Sequence, residues 1–125
     1  MRITAPGEAK VTVDRSRFFA VAFPAATEED VQRAVKALRA RHRKARHLCW
    51  ACRFPGPDGS IVERSRDDGE VGHPGRVLLE LLRHEELEGG LAVARIYGGV
   101  KLGVGGVSRA FREAGRQALE AAPRE

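Results

Sequence analysis

The hydrophobic and polar positions of the chain follow two periods, and each period predicts one kind of element. Residues 10–23 (KVTVDRSRFFAVAF) are rich in β-branched and aromatic side chains, which predicts one or two strands that end at Pro24. Residues 47–54 (HLCWACRF) alternate as a strand does, and residues 61–66 follow the turn sequence PGPDG as its hairpin partner. Residues 91–97 (LAVARIY) form an apolar run that predicts a buried strand.

Three segments carry the longer period that is typical of helices. Thr27 is followed by three acidic residues, a signal for a helix start, and the pattern predicts a helix to about Lys44. Residues 76–87 (RVLLELLRHEEL) predict a strongly apolar helix that Gly89 and Gly90 interrupt. A last helix follows a glycine-rich stretch, and its predicted apolar face consists of Phe111, Ala114, Gly115, Ala118 and Leu119.

The order of these elements predicts an α+β fold, because a hairpin is combined with helical crossovers. We expect a two-layer sandwich, in which a small mixed β-sheet carries helices on one face. The other face of the sheet would then be partly open to solvent. Alternation along residues 47–54 would place His47, Cys49 and Arg53 on that open face.

Charge and composition narrow the class of protein. The chain has 125 residues, 42% of them hydrophobic and 31% charged, which fits one globular domain over residues 1–125. The N-terminus lacks the apolar segment of a signal peptide, so we expect a cytoplasmic protein with no membrane contact. The net charge of +5 favours anionic partners, with nucleic acid first and acidic protein second. An arginine-rich source composition would explain the same charge.

Two short motifs suggest chemistry but have simpler explanations. Cys49 and Cys52 form a C-x-x-C motif, but in a strand their odd spacing points the two sulfurs to opposite faces, which favours structural cysteines. Asp67, Asp68 and Glu70, together with His73, could hold a divalent metal or supply an acid and a base. The alternative is a tight turn whose carboxylates pair with the surrounding arginines.

Residues 95–111 (RIYGGVKLGVGGVSRAF) hold five glycines between a predicted strand and the last helix. The dinucleotide-binding pattern fails because Ser108 stands at its third glycine, and the Walker pattern fails because Val104 follows Gly103. We therefore expect the glycines to serve the backbone: Gly98 and Gly99 would permit a tight exit from the buried strand, and Gly103, Gly105 and Gly106 would allow close approach and unusual backbone angles before the helix. The glycines with this predicted structural role are Gly98, Gly99, Gly103, Gly105 and Gly106.

The same stretch is rich in cations beside an exposed helix start. The helix that opens at residues 105–108 presents free N–H groups, and cations spaced along its following turns suit a polyanion better than one compact phosphate. Basic residues within 39–47 (RARHRKARH) add to this set of cations, although a solvated helix end explains them equally well. The predicted nucleic-acid-binding residues are Arg95, Lys101, Arg109, Arg112, Arg116, Arg46 and His47.

Four blocks of the sequence occur in an order that resembles the YigZ/IMPACT family. Residues 95–111 resemble its R-Y-F-G-G-x-K-L-G-x-G-G-L-x-R-A-Y signature, residues 16–18 its S-R-F start, residues 47–51 its H-x-C-W-A strand and residues 67–70 its D-D-G-E loop. The loop then departs from the family pattern, because it is one residue shorter and lacks a threonine. The second, ferredoxin-like domain of bacterial relatives is expected to be absent from this chain.

The resemblance implies a fold like the second domain of a ribosomal small-subunit protein and domain IV of elongation factor G. It implies no catalytic residue and no cofactor. We interpret the chain as a non-enzymatic binding domain in translation regulation, which contacts RNA, the ribosome or a translation factor. Two alternatives stay open: a metal-dependent hydrolase or phosphotransferase that uses Asp67, Asp68 and Glu70, and a protein–protein module in stress signalling.

Overall fold

The computed structural model describes residues 1–125 and contains five strands and three helices. In chain order they are β1 (Gly7–Val13), β2 (Ser16–Phe23), α1 (Glu28–Arg41), β3 (His47–Pro55), β4 (Ile61–Arg66), α2 (Pro74–His84), β5 (Gly89–Ile96) and α3 (Gly103–Ala121). Every predicted element is present, and the α+β class is confirmed. None of the three helices is both long enough and apolar enough to span a membrane.

The five strands form one sheet in the order β1-β2-β5-β3-β4, and every neighbouring pair is antiparallel. The expectation of a mixed sheet was therefore wrong. The helical crossovers join strands that run in the same direction, β2 to β3 through α1 and β4 to β5 through α2. A third strand lies between the members of each such pair, so no two parallel strands become neighbours.

Helices cover both faces of the sheet, which corrects the expected arrangement of two layers. Helices α2 and α3 pack on one face, where the buried side chains include Phe18, Leu78, Leu91, Val93 and Phe111. Helix α1 packs on the other face, where the buried side chains include Val31, Leu38, Leu48, Ala92 and Ala94. The central strand β5 supplies apolar side chains to both sides, because alternate residues of a strand point to opposite faces.

The three residues predicted on an open sheet face do not lie on one. Cys49 is fully buried beneath α2 and α3. Arg53 is mostly buried and its Nε lies 3.6 Å from a carboxylate oxygen of Glu63. His47 is half-buried, and its Nδ1 lies 2.9 Å from the carbonyl oxygen of Asp68. The physical reason is that the side of β3 that carries them is covered by α2 and the loop before it.

Helix α1 begins where the sequence predicts but ends earlier than expected. At its start, the Asp30 amide donates to Thr27 Oγ1 at 3.1 Å and the Thr27 amide donates to Asp30 Oδ2 at 3.2 Å, so the predicted capping signal is confirmed. At its end, the helix stops at Arg41 and not near Lys44. Residues 42–46 therefore form a turn at the end of the sheet where β3 begins.

Candidate functional site

A cleft of about 500 Å³ lies where β5 ends and β3 begins, beside the first turn of α3. Its lining residues are Arg46, His47, Val71, Arg95, Tyr97, Lys101, Leu102, Gly103, Val104 and Val107. Four residues of the predicted nucleic-acid-binding set, Arg46, His47, Arg95 and Lys101, come together here. They are far apart in sequence and meet because β3 and β5 are paired, with His47 opposite Arg95.

Arg95 is a buried charge and not a surface cation. Its Nη1 lies 3.1 Å from Glu70 Oε2, and the two side chains are only 8% and 4% exposed. The guanidinium also lies over the rings of Phe18 and Tyr97, at 5.5 and 5.6 Å from their centroids. Its Nε is buried and has no hydrogen-bond partner within the protein. The sequence pattern could not show that this arginine is already paired with a carboxylate.

The acidic loop between β4 and α2 holds neighbouring elements together. Asp67 Oδ1 accepts a hydrogen bond from the Gly75 amide at 2.8 Å, at the start of α2. Asp68 Oδ2 accepts one from the Leu48 amide at 2.9 Å, at the start of β3. With Glu70 bound to Arg95, each of the three carboxylates contacts a different part of the fold.

These contacts bear on whether the acidic loop is arranged to bind a metal ion. No group of three or more His, Cys, Asp or Glu side chains is arranged so that it could hold a metal ion. The interpretation of Asp67, Asp68 and Glu70 as a structural turn agrees with this geometry. The metal-dependent alternative receives no support from it, because each of the three carboxylates already binds a backbone amide or a guanidinium.

The two cysteines lie on opposite faces of the sheet, as their spacing predicted. Cys49 packs beneath α2 and α3, and Cys52 packs beneath α1; both are free thiols. Burial raises the pKa of the Cys49 thiol strongly, and the neighbouring charge of Glu70 adds to this rise. Burial also raises the pKa of Cys52. Both are therefore protonated at neutral pH and serve in packing.

Helix α3 begins at Gly103, two residues earlier than predicted, and its N-terminus borders the cleft. The N-cap residue Leu102 makes no side-chain hydrogen bond, and the first turn contains no acidic residue. The amides of this turn thus have no side-chain partner, and the positive end of the helix dipole is not offset. Lys101 is exposed immediately before it and makes no ion pair.

The three arginines predicted along α3 differ in their surroundings. Arg116 forms ion pairs with Glu113 and Glu120 of the same helix, so its charge is offset. This pairing raises the pKa of Arg116 and lowers that of Glu113 to about 2. Arg109 and Arg112 are exposed, but Arg109 lines a separate groove beside β1. The structure therefore does not bring all the predicted cations into one site.

A different set of cations surrounds the cleft, and we call it the basic rim. Its members are exposed, lie at the same end of the sheet and make no ion pair: Arg15, Arg17, Arg43, Lys44, Arg46 and Lys101. Arg17, Arg43 and Lys44 line a second groove of about 410 Å³ that shares the end of β5 with the cleft.

Sequence reasoning missed most of the rim and also missed Tyr97. The rim comes from three chain segments: the β1–β2 turn with the start of β2, the turn after α1 and the loop before α3. The cluster of basic residues at 39–47 was a visible signal. No signal within the sequence showed that the β1–β2 turn would lie beside it.

His42 lies within the second groove and stacks on Phe19, with ring centroids 4.0 Å apart. Partial burial lowers its pKa below the usual value of 6.5, and the charges of Arg41 and Arg17 lower it further, against an opposing effect of Glu8. His42 is therefore neutral at physiological pH, and it adds aromatic surface rather than charge to the basic end of the sheet.

This pKa predicts a pH dependence of stability. The unfolded chain binds a proton at His42 more readily than the folded one. The free energy of unfolding is therefore not reduced by His42 above pH 6.5, and it decreases as the pH falls below 6.5 and the unfolded chain becomes protonated. Between about pH 7.5 and about pH 5.5 we expect the melting temperature to fall less in His42→Phe, which keeps the stacked ring, than in the wild type. His84→Gln, a change at an exposed histidine, serves as the control and should behave as the wild type. An unchanged pH dependence in His42→Phe would contradict the assignment.

Comparison with known proteins places this geometry in a family. The family model of the Impact N-terminal domain matches residues 14–119. The chain is 41% identical over 115 residues to the "IMPACT family member in pol 5′ region" of Thermus thermophilus, which covers 90% of this chain and 59% of that protein. It is 33% identical over 107 residues to IMPACT family member YvyE of Bacillus subtilis, covering 84% of this chain and 48% of that protein.

Two solved structures resemble the fold. A crystal structure of a hypothetical protein matches with a TM-score of 0.89 and 32% identity, over 98% of this chain and 61% of that one. The two-domain translational regulator Yih1 matches with a TM-score of 0.54 and 27% identity, over 96% of this chain and 46% of that one. This chain thus spans about half the length of the relatives that it matches. The family model and the relatives together show that it belongs to the IMPACT family, of which it carries the Impact N-terminal domain.

Proposed function

We propose that this chain is a non-enzymatic binding domain in translation regulation and that it contacts RNA of the translation machinery through the basic rim. The observation that carries the proposal is the collection of unpaired, exposed cations at one end of the sheet. Phosphate groups compete poorly for cations that are already held by carboxylates, and the rim cations are not held in this way. The similarity to Yih1, which is described as a translational regulator, supports the translational context.

The pairing of cations elsewhere on the surface also supports the basic rim as the contact site. Some cations away from the cleft are held by carboxylates: Arg2 is paired with Glu125 at 2.8 Å, and Arg64 with Glu28 at 3.1 Å. The cations of the basic rim have no such partner, so their field attracts an approaching polyanion without being offset by a paired carboxylate. The two grooves beside the rim cations give room for a single strand of RNA.

The proposal predicts that binding depends on the position of the charge and not on its total. Arg43→Glu/Arg46→Glu should weaken binding of a labelled RNA of about 20 nucleotides by about tenfold or more and should flatten its salt dependence. The matched control Arg2→Glu/Arg64→Glu changes the net charge equally but lies away from the rim, and we expect it to change the affinity about twofold at most. Fluorescence anisotropy over a salt series measures both effects.

Two results would contradict the proposal. Equal loss in the rim and control variants would show that only net charge matters, and wild-type affinity that does not change with salt would exclude a phosphate-based contact. Capture of an acidic protein that survives nuclease treatment, without measurable RNA affinity, would replace RNA with a protein partner.

A further inference from the structure

The cleft contains apolar and aromatic surface that a purely electrostatic contact would leave unused. Large hydrophobic side chains that are exposed on this protein include Val71 at 50%, Tyr97 at 49% and Val104 at 59%, and all three line the cleft. Exposed apolar side chains that converge on one concave site indicate a ligand with a flat or apolar part. Tyr97 offers an aromatic ring, on which every nucleobase can stack.

The same cleft contains donors for an anion. The N-terminal turn of α3 borders it with amides that have no side-chain cap, and Lys101 and Arg46 flank it without ion pairs. An independent observation comes from Arg95, whose side chain is 8% exposed, lines the cleft and has a buried Nε without a partner. A buried donor without an acceptor is rare in folded proteins, so the guanidinium beside the cleft keeps one hydrogen-bonding position that the protein itself does not use.

The nearby carboxylates do not oppose an anion at full strength. Glu70 is paired with Arg95, and its other oxygen, Oε1, accepts a hydrogen bond from the Val71 amide at 3.0 Å. Asp67 and Asp68 accept hydrogen bonds from the amides of Gly75 and Leu48. Their charges are thus partly offset, whereas the charges of Lys101 and Arg46 are not.

From this arrangement we infer that the cleft binds one nucleoside monophosphate unit. The base stacks on Tyr97 between Val71 and Val104, and the phosphate lies at the N-terminus of α3, near Lys101. The unit is either a free mononucleotide or one residue of an RNA strand that follows the basic rim. The inference deepens the proposed function and in its second form rests on it. This site differs from the dinucleotide and Walker loops that the sequence excludes. Here the aromatic ring of Tyr97 precedes residues 98–102 in the chain, and the helix N-terminus follows them.

Titration of the 15N-labelled protein with 5′-AMP, 5′-UMP, adenosine and inorganic phosphate tests the inference. Both mononucleotides should shift the amide signals of residues 97–107, and adenosine or phosphate alone should bind at least about fivefold more weakly, because each keeps only one part of the contact. Tyr97→Ala should weaken mononucleotide binding about fivefold or more, whereas Tyr97→Phe, which keeps the ring, should bind as the wild type. Val100→Ala, an exposed apolar side chain outside the cleft lining, is the matched control.

RNA binding by the same variants separates this inference from the proposed function. Competition of 5′-AMP with the labelled RNA would assign the site to a strand residue, and mononucleotide binding without RNA affinity would assign it to a free nucleotide and overturn the RNA proposal. RNA affinity that falls in the rim variant but not in Tyr97→Ala, without mononucleotide shifts, would overturn the cleft inference and leave the rim intact. Phosphate binding as strong as that of 5′-AMP would also overturn it, since the base would then contribute nothing.

Discussion

Replacement of Glu70 by Gln is expected to lower the free energy of unfolding by about 3 to 5 kcal/mol, because it leaves the buried guanidinium of Arg95 without a counter-charge. The two side chains are almost fully buried, so water cannot replace the lost partner. The Gln side chain has nearly the volume of Glu, so the loss reports the charge and not a cavity. Chemical denaturation with urea or guanidinium chloride measures the difference.

A double variant distinguishes a required charge from a required pair. Glu70→Leu/Arg95→Met removes both charges together and keeps apolar volume, and we expect its stability to return to within about 1 kcal/mol of the wild type. The single change Glu113→Gln, which breaks the exposed ion pair with Arg116, should cost far less stability, because solvent screens that pair. A loss in Glu70→Gln no larger than in Glu113→Gln would show that Arg95 finds solvent, against the burial described above.

Gly98→Ala is expected to have the second large effect, a loss of about 3 kcal/mol. A Cβ at Gly98 would lie 2.5 Å from the amide nitrogen of Ser16 and would overlap the backbone carbonyl of Arg15. Both are backbone atoms of the β1–β2 turn, and the Gly98 amide donates to Ser16 Oγ at 3.1 Å, so neither side can move away freely. The same turn carries Arg15 of the basic rim, and we expect RNA affinity to fall as well.

Gly105→Ala is the matched control from the same stretch. A Cβ there would meet only the guanidinium of Arg109 at 3.1 Å, which is the end of a flexible side chain. Because Ala favours the helix over Gly, we expect stability to stay the same or to rise by up to about 1 kcal/mol. Thermal and urea unfolding of both variants tests the pair, and equal stabilities would show that the contact between residues 98 and 15 is not tight.

The glycines of residues 95–111 thus serve different purposes. Gly98 permits a close approach, and Gly99 and Gly103 have φ angles of 89° and 72°, in the region that favours glycine. Gly105 and Gly106 lie within α3, with backbone angles that other residues adopt. The prediction of unusual backbone angles was therefore correct for Gly103 but wrong for these two.

Local signals in the sequence were sufficient for the elements and for several of their boundaries. The capping box at Thr27, the hairpin of β3 and β4, and the opposite orientation of Cys49 and Cys52 depend on neighbours within a few residues. The buried face of α3 was likewise visible from its spacing. Such features are predictable because the backbone period alone determines which residues share a face.

The layer arrangement and the state of each charge were not predictable in this way. Alternate residues of β3 and β5 are apolar on both faces, and only the packing of α1 opposite α2 and α3 shows that both faces are covered. Likewise, Arg95, Arg116 and Lys101 look alike in the sequence. The first is buried against Glu70, the second is paired along its own helix, and the third is free.

The order and spacing of the amino acids were enough to indicate the α+β class, the family, the basic character of the chain and the identity of its helices and strands. The tertiary structure decided which cations are available, and it assembled the cleft from the ends of β3 and β5, the acidic loop and the start of α3. The physical reason is distance along the chain. Helix and strand periods act between close neighbours, whereas ion pairing and cleft formation depend on residues that only strand pairing and helix packing bring together.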